Sequence, residues 1–289
     1  MTIQQTAAYP FVVDLAQRLD NGTLELPPCP QIALEIRGLL ERDDVSVDQI
    51  ARLALLDPVL AAAVLKLANS AMFSRSASPT TDVKAAINRI GFDMVRNLAF
   101  DLAIAKAFQL EAIPRLRALT REIRTHSRHV AVLAYFLAKR FASTAPIGAN
   151  DAMLAGLLHS IGKLYILARV DGFPELLADR DALEQLLRDW HADIGREILE
   201  SWRLPRAVVA AVDQYERLDL AHSGPISVAE VLLAANLLSR LSAADETTLV
   251  SEISNVPALA RLSLDEAKCR ALIDQSQSMV DSVDAALRS

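Results

Sequence analysis

Residues 46–68 read SVDQIARLALLDPVLAAAVLKLA, and the order of caps, apolar positions and proline within them commits this part of the chain to helix. Ser46 followed three residues later by Gln49 is a capping box, set before Ile50, Leu53 and Ala54 at helical spacing. Asp57-Pro58 then ends that helix and begins another, because Asp caps a helix start and proline is tolerated at its first position. Two short helices meeting in a tight corner are predicted.

The same punctuation continues outward. Thr81 is placed to cap a segment with Val83, Ala86, Ile87 and Ile90 on one face, and Gly91 follows as its C-terminal stop. Asp93 then opens an apolar helix running to Phe108, and Pro114 breaks the pattern. Beyond it, helical patterns cover 116–141, 151–169, 182–202, 205–216 and 227–241, joined by short turns such as 145–148 and 171–174. Ala and Leu dominate, the chain holds only 9 Gly, and apolar-polar alternation is scarce, so strands are not predicted. The expected fold is all-α. A helical extension (1–23) leads into an N-terminal helical bundle subdomain (24–113), which packs on a second helical subdomain (114–242) followed by a C-terminal helical segment (243–289).

Composition narrows the function classes. With 30 Lys plus Arg against 36 Asp plus Glu in 289 residues, the formal charge is −6, which argues against a surface built throughout for phosphate backbones. A 52% hydrophobic share excludes extensive disorder. Cys29 and Cys269 lie far apart without CxxC spacing, fit a reducing compartment, and read as inert small apolar residues. The start lacks the basic n-region of a signal peptide, and the apolar stretch 53–73 is broken by Asp57, Pro58 and Lys66. A cytoplasmic protein with no membrane contact is expected.

Three histidines stand in informative contexts: His126 in RTHS (124–127), His159 in LLHSIGKL (157–164) and His191 in WHADIG (190–195). The run HSIGKL resembles the HDIGKL signature of the HD superfamily of metal-dependent phosphohydrolases, with Ser160 in place of Asp. Together with LPPCP (26–30), DPVL (57–60), KLANSAMF (66–73) and AAINRIG (85–91), in that order, it resembles the HDOD family, the HD-related output domain of bacterial signalling proteins. The likeness runs from about residue 24 to about residue 240. It implies an HD-like second subdomain, a role in bacterial signal transduction, and usually no demonstrated catalysis.

The resemblance also assigns a vestigial pocket. His126 and His159 match the first two metal ligands, and His191 matches an additional ligand of the two-metal branch. Ser160 replaces the Asp of the pair, Gln214-Tyr215 stands where a His-His pair occurs, and Asn236 takes the place of the last Asp, while Lys163 closes the signature. Carboxylates in such sites neutralise divalent ions whose bound water becomes the nucleophile. Loss of an outer partner alone costs about 10–100-fold in metal affinity, so removal of two anionic ligands leaves no expected cofactor, metal or catalytic residue.

A second feature is basic. Arg117, Arg121, Arg124 and Arg128 share a helix face, with Arg115 just before them and Glu122 nearby. They read either as a solvated face or, with Lys163, as an anion or partner surface facing the pocket and binding a nucleotide second messenger. Residues 83–100 have the gait of a helix-turn-helix, but the second helix offers only Arg96 beside Asp93 and Asp101, which argues against DNA. Asn69-Ser70 is expected to be a helix end, and Trp190 and Trp202 are expected to pack between helices.

Three functions remain in order. The first is a non-catalytic signal-transduction module contacting other signalling proteins, acting in trans because the flanks are too short for a receiver or catalytic domain. A residual HD-type phosphohydrolase and a nucleic-acid-binding regulator are the alternatives.

Overall fold

The computed structural model describes residues 7–21, 25–74, 78–108, 114–142, 145, 147–218, 224–241 and 256–287. Among these residues every regular element is helical. The helices are α1 (Tyr9–Asp20), α2 (Gln31–Leu40), α3 (Val47–Leu56), α4 (Pro58–Ala68), α5 (Val83–Ile90), α6 (Phe92–Phe108), α7 (Arg117–Phe141) and α8 (Ala149–Leu158). They continue as α9 (Ile161–Arg169), α10 (Pro174–Ala178), α11 (Arg180–Ser201), α12 (Arg206–Gln214), α13 (Val228–Leu241), α14 (Pro257–Arg261) and α15 (Glu266–Leu287). The expected subdomain borders at residues 23–24, 113 and 242–243 lie outside the described residues, as does Pro146 of the 145–148 turn.

The corner read from 46–68 forms as its chemistry dictates. Ser46 Oγ accepts from the Gln49 backbone N–H (3.3 Å) and Gln49 Oε1 accepts from the Ser46 N–H (2.8 Å), closing the capping box. Asp57 Oδ1 accepts from the backbone N–H groups of Val59 (2.9 Å) and Leu60 (3.3 Å), with Pro58 at the first position of α4. The next cap is a correction: Asp82, not Thr81, caps α5, its carboxylate accepting from the Lys84 N–H at 2.9 Å. Thr80 sets this up, because its hydroxyl accepts from the Asp82 N–H (3.1 Å) and turns the chain one residue later than the sequence pattern suggests. Gly91 has a φ of +86°, so α6 starts after a single left-handed link. Asn69 caps the end of α4 and joins it to the following loop through bonds to Thr80 N (2.7 Å) and O (2.8 Å).

Helices α2 and α4 pack on α6, while α8 and α13 gather around α7, and α9 and α12 around α11. Helix α6 is buried continuously from Met94 to Ile104 and also touches α8 and α9. Trp202 fastens the two halves: its indole N–H donates to Pro27 O (2.8 Å), its ring stacks on Phe100, and its own carbonyl accepts from Arg37 (2.9 Å). Helix α15 lies against α4 and α7.

One pattern divides. The stretch predicted as a single helix over 151–169 breaks at His159-Ser160, where Ser160 leaves helical geometry (φ −97°, ψ 11°). The break lets α8 lie backbone to backbone on α7 at Gly156 and α9 lie the same way on α11 at Gly162. Residues 149–172 are the one described stretch long and apolar enough to cross a bilayer, and 83% of its most apolar window is buried inside the protein.

Candidate functional site

Three of the histidines converge from two helices and the α8–α9 break. His126 comes from the middle of α7, His159 from the break itself, and His191 from α11, which Gly162 admits to within backbone contact of α9. The His126 and His159 rings lie 5.4 Å apart, and Tyr215, at the end of α12, stands edge-on to both His159 (4.9 Å) and His191 (5.9 Å). His159, Ser160 and His191 are fully or almost fully buried, and Asn236 of α13 is buried beside them.

Five of the six imidazole nitrogens are already engaged. His126 Nε2 donates to Asn236 Oδ1 at 3.0 Å, which leaves Nδ1 to accept from the Ser239 hydroxyl at 3.3 Å. His191 Nδ1 donates to Arg188 O at 3.1 Å, so its Nε2 accepts from the Tyr215 hydroxyl at 2.8 Å. His159 Nδ1 donates to Gly156 O at 2.7 Å, and only its Nε2, together with the neighbouring Ser160 Oγ, is buried without a partner among the described residues.

Burial sets the protonation states. It holds His159 well below the usual imidazole range, with the neighbouring His126 pushing the same way. It also lowers His126, against the opposing bond to Asn236. Tyr215 is raised well above an ordinary phenol by burial and stays a donor. Lys163 is lowered by burial and partly compensated by Glu216, whose Oε1 lies 3.9 Å from Nζ. Glu216 is held below the usual carboxylate range against the upward push of burial, because Lys163, and His191 in its protonated form with Nε2 3.4 Å from Oε1, favour its anion.

The two metal ions implied by the superfamily do not fit this donor set. His126 Nε2 bears its proton toward Asn236, His191 Nε2 is occupied by Tyr215, and among the described residues no group of three or more His, Cys, Asp or Glu is arranged to hold an ion. The structure therefore brings together His126, His159, Ser160, His191 and Asn236, with Lys163 joined through Glu216. Gln214 ends α12 half-buried, and the next residue, Tyr215, makes the polar contact instead. The sequence reading places the Gln214-Tyr215 pair at the pocket but gives the tyrosine no role of its own, and it misses Glu216, whose signal is its place directly after that pair.

The arginine stripe requires correction. Arg117 and Arg121 are exposed, but Arg124 and Arg128 turn inward. Arg128 grips Asp101 of α6 through Nε (3.3 Å) and Nη2 (3.0 Å) and reaches Asp284 of α15 at 3.4 Å, while Arg124 Nη2 meets the same Asp101 at 3.2 Å. Asp101 balances Arg124 and Arg128, because the helical face that carries them packs on α6 and α15. The four residues thus form no common anion surface with Lys163. Helix α6 likewise cannot enter a DNA groove: Arg96 is nine-tenths buried against Asp93 (3.2 Å) and Asp151 (3.4 Å). Trp202 is buried and Trp190 half-buried, as their packing role requires.

A protein whose described elements are all helical and gather three histidines at one buried pocket is the class these features define. Residues 26–218 match the HDOD domain model, and the chain belongs to the HDOD family. The match stops short of α13, which brings Asn236 to the pocket. Among solved structures the chain is similar to a proposed metal-dependent phosphohydrolase of Shewanella amazonensis SB2B, with a TM-score of 0.76, 23% identity, and coverage of 98% of this chain and 99% of that one. It is also similar to a proposed signal transduction protein of Marinobacter aquaeolei VT8, with a TM-score of 0.60, 24% identity, and coverage of 92% of this chain and 60% of that one. Both likenesses speak for the fold. An uncharacterized protein of Treponema pallidum is 27% identical over 226 residues, which are 74% of this chain and 41% of the relative. The chain spans less than half of that relative's length.

Proposed function

We propose that this HDOD protein is a non-catalytic module of bacterial signal transduction, in which the histidine pocket holds helices together and output passes through contact with other signalling proteins. The observation that carries this reading is the engagement of both ring nitrogens of His126 and both of His191 by neighbouring side chains and backbone. An ion entering the pocket would have to break those bonds, and it would find Ser160 and Asn236 where the carboxylates of an active HD site stand. The similarity to the Marinobacter signal transduction protein agrees with a regulatory role. Leu55 and Leu56, 56% and 74% exposed at the α3–α4 corner, are apolar side chains available to a partner.

The phosphohydrolase alternative rests on His159 Nε2, the one nitrogen of the three pocket imidazoles buried without a partner among the described residues. The nucleotide and DNA readings lose their surfaces, because Arg124, Arg128 and Arg96 are spent on internal carboxylates. The test is hydrolysis of bis(p-nitrophenyl) phosphate and of cyclic dinucleotides with added Mn²⁺ or Mg²⁺. No turnover above the His159→Ala variant is expected; turnover that this variant abolishes would replace the reading with an enzyme.

A further inference from the structure

A cavity of about 540 Å³ opens beside α6, lined by residues between Pro28 and Ala107, and shares no residue with the histidine pocket. One wall is α6, where Ala99, Ala103 and Ala107 recur every fourth residue and so line a strip almost free of side chain. Opposite lie Leu60 and the loop before α2, including Pro28 and Pro30. Prolines have fixed φ and cannot readily follow a collapse into the void. The bond from Trp202 to Pro27 O also pins that loop from the far side. The size lies in the range of small-molecule sites, and the walls suit an apolar body.

The polar groups at this cavity are unevenly satisfied. Asp57 is used up, with Oδ1 accepting from Val59 and Leu60 and Oδ2 accepting from Lys106 Nζ at 2.6 Å. Lys106 is 60% exposed and spends one of its three N–H donors on that bond. Cys29 adds no charge, since burial raises its thiol to about 11. With Gln31 Nε2 donating to Glu35 at 2.8 Å, the cationic donor capacity still unspent at this apolar space is that of Lys106.

We propose that the cavity binds an apolar monocarboxylate, its tail between α6 and the Pro28–Pro30 loop and its carboxylate on Lys106. Because Trp202 sits at the end of α11 and is bonded to this loop, the same ligand alters the indole environment. The test titrates the full chain with sodium decanoate, 1-decanol and decyltrimethylammonium bromide below their micellar concentrations, followed by calorimetry and tryptophan fluorescence. Decanoate is expected to bind saturably and at least about tenfold more tightly than decanol, as a charge-assisted bond requires, and the cationic probe is expected to show no saturable binding. Lys106→Gln should bring decanoate down to the affinity of decanol and leave decanol unchanged. Ala103→Leu and the rim variant Ala107→Trp should each remove both. No saturable decanoate binding, equal binding of all three probes, or full decanoate affinity in folded Lys106→Gln or Ala107→Trp would overturn the proposal.

Discussion

Replacing Gly162 by alanine isolates the contact on which the pocket depends. A Cβ at this position would stand 2.8 Å from the His191 carbonyl carbon and 2.9 Å from the Gly195 nitrogen, with the His191 oxygen closer still. Ordinary contact begins near 3.4 Å, so α9 and α11 must separate by more than half an ångström, and the obstacle is helix backbone that has no rotamer to change. Overpacking of this kind costs about 1–3 kcal/mol, here at the upper end, while alanine's better helix propensity returns at most about 1 kcal/mol. The net loss is about 2 kcal/mol, or about 4–8 °C in Tm for a chain of this size. Gly38→Ala in α2 is the matched control. Nothing lies within 4 Å of its Cβ, so the propensity gain stands alone and Tm should rise by about 2–4 °C. Scanning calorimetry of both variants decides the point. A Gly162→Ala protein that melts at or above the wild-type temperature would refute the argument that this glycine exists to let the two histidine-bearing segments touch.

Other consequences can be measured on the same protein. Asp101→Ala leaves Arg124 and Arg128 facing a buried gap and should cost about 3–5 kcal/mol by chemical denaturation; a loss under 1 kcal/mol would show that Asp284 suffices. His126 and His159 are held neutral, so below pH about 6.5 the unfolded chain takes up protons that the folded chain refuses. Their contribution is complete above that pH and declines on acidification toward their folded pKa values, at up to about 1.4 kcal/mol per pH unit for each histidine. His159→Gln should therefore flatten stability against pH between 6.5 and 5, and an unchanged slope would contradict the assignment. Ser160→Asp combined with Asn236→Asp should raise Mn²⁺ affinity by about 10–100-fold in a calorimetric titration; no gain would mean that Tyr215 alone closes the site.

Much of the architecture is legible in local chemistry. The capping box at Ser46 and the Asp57-Pro58 corner depend on neighbours within four residues, and both form as read. The meeting of His126, His159 and His191 follows from the family motifs, because their order along the chain carries the fold with it. What escapes the sequence is long-range. Arg124 and Arg128 look solvated like Arg117 and Arg121 until α6 and α15 supply Asp101 and Asp284, 27 and 156 residues away from Arg128. The break at His159-Ser160 carries neither proline nor a cap, and it is set by two close backbone approaches that Gly156 and Gly162 make to other helices. Tyr215 shows its role only when α12 packs on α11 and its hydroxyl reaches His191.

The proposal that the pocket holds no divalent ion is most directly tested by elemental analysis of the purified chain after dialysis against Mn²⁺ and, separately, Zn²⁺. Far less than one ion per chain, unchanged by His159→Ala, is the predicted result. One or more ions per chain, lost together with phosphodiester turnover in His159→Ala, would contradict it.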